Sequence, residues 1–424
     1  MKIRFRRKTK AEWLCLFILC MPFCFFLLLN LLRLPDLVKY MVDLAWFFLL
    51  LAMVFNHITL PNSHTRHLLI VTGIFFGLSV FAYLLNYQSL IYYFWGLRNN
   101  IRFFVFFFAC ILFVRERSIG NYLRFFDSLF WINFVAVLYQ YFVLGQSQDN
   151  LGGLFGMEKG CNGYMNIFLM IVATRSILSY MNHQERMFWC LIKLSAALLV
   201  AIFSELKIFI VELIIIVALA AVITKFSTRK LGIILVVMVG VLAAGRLIAI
   251  LFPVFSEWFS IERMWRNVTS SKGYTASGDM NRFTAVSVVL THFLPYWWNK
   301  LFGLGLGNCD YAGFSFLMTP FYRTYGRMNY TWFSSAFLIL ETGIVGLVLY
   351  CLFFVFIFLG ASKMEKEKPA RQLQCQMARV LSIMCLLLVV YNASLRTEAG
   401  YMMFFVLALP FLKDEKDRPL PLKA

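Results

Sequence analysis

One polar interval, Pro253 to Tyr330, gathers the side chains best equipped for chemistry: Asp279, Arg282, His292, Asp310, Arg323 and Arg327. Arg323 and Arg327 lie one helical step apart, as do Arg263 and Arg266, so each pair can share a helix face. Paired guanidinium groups suit phosphate because each offers two parallel donors, although a solvated basic face is the ordinary alternative, and the favoured one for Arg263 and Arg266. Arg282 opens an apolar run, Phe283 to Leu294, directly behind Gly278 and Asp279, where Asp279 is placed to cap a helix. Lys207 follows Ser204 and Glu205 at a turn between two apolar stretches. It reads either as a lysine that snorkels toward water or as a cation offered to an anionic headgroup. Three groups are candidates for a general base, namely Glu341, Asp279 and His292, and the sequence does not choose among them.

These residues need elements to hold them, and composition says which. The 424 residues are 61% hydrophobic, 18% aromatic and only 14% charged, with a mean hydropathy of +0.75. That lies far outside the soluble globular range and predicts an all-α polytopic integral membrane protein. Apolar stretches at about 14–32, 37–55, 68–85, 91–114, 129–144, 164–180, 188–203, 208–224, 231–252, 332–359, 380–393 and 400–412 predict about 12 transmembrane helices. The chain divides accordingly into an N-terminal bundle of about nine helices (1–252), a loop region (253–330), and C-terminal helices with a tail (331–424). A formal charge of +19 raises nucleic acid as a partner, yet more than half of the 40 Lys and Arg fall in segments that this alternation puts on one side. Such a bias orients membrane proteins, with both termini cytoplasmic and the long loop extracytoplasmic, and it excludes nucleic acid.

Glu341, Glu212 and Asp43 are acids inside or beside these stretches, where structural pairing with a base is their plainest role. The ten cysteines show no C-x-x-C and no zinc spacing, so they read as small apolar residues, Cys161 and Cys309 on the outer side included. No Walker motif, H-E-x-x-H, G-x-S-x-G or dinucleotide fingerprint occurs, which argues against nucleotide coupling. The run Gly303-Leu304-Gly305-Leu306-Gly307 lacks the Lys-Ser/Thr of a phosphate loop, and predicts a tight loop where backbone meets backbone or ligand.

Several features in order resemble the O-antigen polymerase and ligase superfamily of bacterial envelope glycosyltransferases, over roughly residues 145–360. They are Gly152-Gly153-Leu154-Phe155-Gly156 with Asn162, the Ser204-x-x-Lys207 turn, Asn281-Arg282, the glycine run, and Leu340-Glu341-Thr342-Gly343-Ile344-Val345-Gly346. The resemblance implies a membrane enzyme, free of metal and cofactor, that takes glycan from an undecaprenyl pyrophosphate carrier in the bacterial plasma membrane. It implies Arg282, Lys207 and Glu341 as site residues. Ligases of this kind commonly carry Arg where Lys207 stands and His where Trp332-Phe333-Ser334 stand. Both departures favour polymerisation of repeat units over ligation to a lipid core.

On that reading Arg282 and Lys207, assisted by Arg323 or Arg327, bind the pyrophosphate of the donor while a hydroxyl of a second lipid-linked oligosaccharide attacks. Tyr296, Trp297 and Trp298 would stack on sugar rings, or form an aromatic belt at the membrane surface. Expected partners are the two lipid-linked substrates, the bilayer, a chain-length regulator and a flippase. A rival of another class is a transporter of lipid-linked glycan, for which internal repeats, broken helices and midplane charges are the signals. A scaffold within an assembly complex is a third reading.

Overall fold

A computed structural model describes residues 9–55, 63–225, 228–251 and 278–413. Arg263, Arg266 and the first third of the expected loop, 253–277, lie outside the described residues. Every described element is helical, and no strand occurs among the described residues. The chain runs through α1 (Lys10–Cys20), α2 (Met41–Phe55), α3 (Ser63–Leu85), α4 (Leu90–Phe113) and α5 (Ile119–Phe142). It continues through α6 (Asn162–Met181), α7 (Met187–Phe203), α8 (Lys207–Ile223) and α9 (Thr228–Leu251). Three helices of six residues or fewer follow, α10 (Ala285–Val288), α11 (Trp297–Phe302) and α12 (Pro320–Tyr325). Then come α13 (Ser334–Glu367), α14 (Gln372–Tyr391) and α15 (Ala399–Ala408).

Among the described residues, six helices are long and apolar enough to cross a membrane: Asp36–Phe55, Ser63–Leu85, Leu90–Phe113, Asn162–Met181, Ser334–Glu367 and Pro369–Tyr391. The protein is an all-α membrane protein. Each of the twelve apolar stretches read from the sequence overlies helix, with two starting well before the hydropathy rises. Helix α5 begins at Ile119 and α14 at Gln372, because polar residues there are paired rather than looped out. Asp127 of α5 forms an ion pair with Arg175 and approaches Lys193 at 3.4 Å. Gln376 and Arg379 of α14 both reach Glu365, at 2.8 and 2.6 Å.

The core is organised around α15, all ten of whose residues are buried. It packs against α4 and α6, and α4 meets it with Phe103, Phe104, Phe106 and Phe107. Ring centroids of Phe103 and Tyr401 lie 5.0 Å apart, and those of Phe104 and Phe353 lie 4.9 Å apart in an edge-on geometry. Such offset aromatic contacts add to plain burial. Helix α13 runs along α14 and α3, which completes the wall around this aromatic centre.

Helix α13 is broken. Gly343 takes φ 69° and ψ −174°, so Ser334–Thr342 and the helix beyond it are separate pieces on either side of a kink. Such a break frees carbonyls that water cannot satisfy in hydrocarbon, and buried protein must supply the donors. The glycine run does so: Leu304 N–H donates to the Leu340 carbonyl at 2.7 Å and Gly305 N–H to the Glu341 carbonyl at 3.0 Å. A Cβ on Gly343 would meet the backbone of Leu301 and Phe302, and one on Gly307 would meet the Tyr92 carbonyl. The expected close approach is therefore backbone against backbone. Gly343→Ala should cost roughly 1–3 kcal/mol from backbone strain alone, with steric overlap added. The check is the apparent melting temperature in detergent, where an unchanged value would contradict this account of the break.

Candidate functional site

Around Arg282 the chain turns sharply. Gly278 has φ 83°, and the Asn281 side chain accepts the Phe283 N–H at 3.1 Å. The expected apolar helix is α10 followed by a wider-wound turn over Val289–Phe293. Asp279, expected as a cap, accepts from the Asn329 side chain at 2.6 Å. The Arg282 guanidinium lies 3.8 Å from the centre of the Tyr391 ring and 5.7 Å from that of Phe333. Its buried Nε has no hydrogen-bond partner. Among the described residues no carboxylate pairs with it.

Most other buried or half-buried arginines do have such a partner. Arg98 pairs with Asp43, Arg102 lies 3.1 Å from Glu398 and 3.9 Å from Asp43, and Arg371 lies 2.8 Å from Glu116. Asp43 thus takes the structural role expected of it. Glu212 does not: it is 0% exposed, one oxygen accepts from Asn166 at 3.0 Å, and the other has no partner. Tyr391 lies within electrostatic reach of Glu212 as well as of Arg282.

Glu341 is also 0% exposed. One carboxylate oxygen accepts the N–H groups of Gly307 at 2.8 Å and Cys309 at 3.2 Å, while the other has no partner. Cys309 returns through its carbonyl to the Tyr330 hydroxyl at 2.6 Å. Glu341 therefore stitches the glycine run to the break in α13. In this arrangement one of its oxygens positions backbone.

Arg102, Arg396 and Glu398, which the sequence did not single out, join Asp43 and Asp310 in a second set of charges at this end of the molecule. Arg102 donates to the Arg396 carbonyl at 3.2 Å, and Glu398 accepts from the Tyr164 hydroxyl. Asn99 donates to Asp310 at 2.6 Å. Arg396 stands 3.5 Å over the Phe337 ring and donates to the Thr331 carbonyl at 2.7 Å. The available signal was the presence of Arg98 and Arg102 within an apolar stretch, with Asp43 in a neighbouring one. Burial alone would raise the Glu398 carboxyl, but Arg102 and Tyr164 outweigh it and hold it down at about 2.

The remaining expected residues are more scattered. Lys207 opens α8 behind Glu205, whose φ is 51°, and burial pushes its ammonium below the ordinary value against the pull of Glu205 and Asp149. Arg323 and Arg327 are exposed; Arg323, on α12, donates to the Ser315 carbonyl at 2.8 Å, and Arg327 sits in the 3-10 turn beyond that helix. His292 is exposed. Tyr296 and Trp298 stack on each other, centroids 4.6 Å apart and planes 4° apart, so each covers a face of the other. Trp297, 67% exposed, keeps more ring surface for another partner. Cys161 and Cys309 are both free thiols. The Gly152–Gly156 segment is drawn inward, with Gln140 bonding both the N–H and the carbonyl of Gly153, at 2.7 and 2.8 Å.

The arrangement offers two cations over ring faces, Arg282 and Arg396, an acid used as a backbone clamp, and a network of paired charges beside them. Chemically it can bind an anion at Arg282. The chain matches no family model and no curated protein.

Two outcomes follow from this geometry. Glu341→Ala leaves two buried N–H groups unpaired and should cost about 1–3 kcal/mol for each. Glu341→Gln keeps an acceptor oxygen and should lose less; equal melting temperatures for the two variants would refute the clamp. For Glu398 the folded value, about 2, lies below the ordinary 4.5. Its stabilisation is fully present above about pH 4.5 and lost as pH falls toward 2. The melting-temperature gap between wild type and Glu398→Gln should therefore close across that window, and a gap independent of pH would contradict the assignment.

Proposed function

We propose that the chain is a membrane glycosyltransferase that polymerises undecaprenyl-pyrophosphate-linked oligosaccharide repeat units into a cell-surface polysaccharide. It acts at the outer face of a bacterial plasma membrane, with about twelve spans, both termini cytoplasmic and the 253–330 region outside. The observation that carries this reading is Arg282: a guanidinium packed on Tyr391 and Phe333, without a carboxylate partner among the described residues. The ordered resemblance of the surrounding motifs supports it.

In the proposed reaction Arg282, with Lys207 at the same end of the bundle, binds the pyrophosphate of the donor. The bond between the anomeric carbon and the pyrophosphate oxygen breaks, and its electron pair stays on the pyrophosphate beside Arg282, where charge growth is offset. An acceptor hydroxyl supplies the oxygen for the new glycosidic bond and gives its proton to a base. Of the three candidates, Glu341 is enclosed and engaged by two N–H groups. Asp279, three residues before Arg282, is half-buried and accepts from the Asn329 side chain. His292 lies farther along and is exposed. Trp297 offers a ring face to a sugar.

A transporter of lipid-linked glycan is the second reading, and specific observations favour it. The break at Gly343 and the paired charges of Asp43, Arg98, Arg102 and Glu398 inside the bundle are features that transporters use. Transfer of finished glycan to a lipid core remains the rival within the enzyme class.

The test is a reconstituted protein supplied with its lipid-linked repeat units, chelator and no nucleotide, with products resolved by length. A ladder is expected, and Arg282→Ala should abolish it, at least a hundredfold, while the protein still inserts and melts normally. Normal polymer length in that variant would refute the role of Arg282. Substrate moved across the bilayer without bond formation would support transport, and a single transfer to added lipid core would support ligation.

A further inference from the structure

Glu212 is held unlike the other buried carboxyls. It lies on α8, 0% exposed, within the apolar stretch Lys207–Ile223. Glu12, equally buried, sits 3.2 Å from Arg115, and Glu398 lies 3.1 Å from Arg102. Asp127 pairs with Arg175, and Glu341 takes two backbone N–H groups. Glu212 has one donor, the uncharged side-chain amide of Asn166 on α6, which reaches one carboxyl oxygen at 3.0 Å. Its other oxygen is buried without a partner, and so is the carbonyl oxygen of the same Asn166 side chain. Among the described residues no cation pairs with Glu212.

The two orphan oxygens belong to two planar groups that already share one hydrogen bond. An ionised carboxylate offers acceptors alone, and so does an amide carbonyl, so with Glu212 as an anion both orphans stay unsatisfied. A neutral carboxylic acid carries one O–H donor. With that proton the pair closes on itself: the amide N–H meets one carboxyl oxygen, and the carboxyl O–H meets the amide oxygen. A charge enclosed without a counter-charge also bears its full desolvation cost, which the neutral acid avoids. A hard metal cation takes about six oxygens or more, whereas this pair offers two unpartnered ones.

We propose that Glu212 and Asn166 form a proton-binding site between α6 and α8, with the Glu212 carboxyl held un-ionised in a ring-closed acid–amide pair. The bound proton joins the two helices at this depth, and its loss sets acceptor against acceptor and opens the pair. Of the other helices packed on α8, α14 brings Tyr391 within electrostatic reach of Glu212, and the Tyr391 ring holds Arg282. The remaining charged groups on its neighbours are engaged elsewhere or exposed. On α6, Tyr164 bonds Glu398 and Arg175 pairs with Asp127; on α7, Lys193 lies 2.8 Å from Glu185. On α9, Lys230 donates to the carbonyls of Ala221 and Thr224, and Arg246 is exposed. Proton release at Glu212 therefore puts a negative charge within reach of the ring that holds Arg282. The site stands whether the protein polymerises glycan or moves it.

The experiment is infrared difference spectroscopy on the full chain in detergent at neutral pH, wild type against Glu212→Gln. Glutamine closes the same ring amide to amide, so this variant should melt as wild type does. The wild-type spectrum should carry a carbonyl band of an un-ionised carboxyl, sensitive to deuterium oxide, that the variant has lost. Asn166→Leu should move that band, because the O–H loses its acceptor. On wild type alone, dicyclohexylcarbodiimide, which reacts with un-ionised carboxyls in apolar surroundings, should leave an adduct on Glu212 that mass spectrometry maps. A variant that has lost a carboxylate band instead shows Glu212 to be ionised and overturns the site. An adduct suppressed by sodium chloride but not by choline chloride identifies a metal cation as the occupant and overturns it too. A band that a normally melting Asn166→Leu leaves in place overturns the pairing with Asn166.

Discussion

The N–H groups of Leu304 and Gly305 reach into the break of α13 and take the carbonyls of Leu340 and Glu341, and the arrangement of the whole Arg282 end depends on those two bonds. A helix interrupted inside a bundle exposes backbone acceptors that neither lipid nor apolar side chains can satisfy. Here the rescuing donors come from a segment with glycine at three alternate positions. Two of those glycines lie so close to the backbones of Tyr92 and Glu341 that a side chain would collide. The Glu341 carboxylate then closes the junction from below through Gly307 and Cys309. Once the loop is seated this way, the strand of chain that carries Asp310 and Tyr330 has a fixed place, and so do the rings of Phe333 and Phe337.

The charge network beside the break works in another currency. Asp43, Arg98, Arg102, Glu398 and Tyr164 link α2, α4, α6 and the start of α15 through contacts that pure hydrophobic packing could replace with little loss of stability. Their contribution is register. Phenylalanine rings sliding along α4 meet nearly equal energies at several offsets, whereas a guanidinium facing two carboxylates has one. Arg102 extends this register to the site, since it also holds the Arg396 carbonyl. The loop that presents Arg396 is thus set by a residue about three turns inside α4.

Hydropathy made the helices legible and left the site largely hidden, for a physical reason. The twelve apolar stretches are helix because unbroken Leu, Ile, Val and Phe runs admit little else in lipid. Hydropathy sees only the part of a helix that faces apolar surroundings, so α5 and α14 begin ten and eight residues before their apolar stretches, where Asp127, Gln376 and Arg379 find partners from other helices. Arg98 and Arg102 were masked in the opposite sense, by the aromatic residues around them. Arg282 and Glu341 stood out as charges without an ordinary explanation, yet the use of Glu341 as a backbone clamp depends on a kink that no periodicity records. Arg396 and Glu398 fall in a short turn between apolar stretches, and sequence spacing carries no information about which turns meet.

Arg98 and Arg102 also lie over rings, and what separates Arg282 and Arg396 from them is that neither forms an ion pair with a carboxylate among the described residues. A carboxylate neutralises a guanidinium and occupies its donors. An aromatic face attracts the same cation through its quadrupole without occupying its in-plane N–H groups, one of which Arg396 gives to the Thr331 carbonyl. Placing the acids one layer away, each already bonded to amides, completes the arrangement: Asp310 and Glu341 limit the cost of burying Arg396 without competing for its donors. One Glu341 oxygen is committed to the backbone clamp. A carboxylate that moved to meet a substrate hydroxyl would release Gly307 and Cys309, and with them the loop on which the adjoining cations depend.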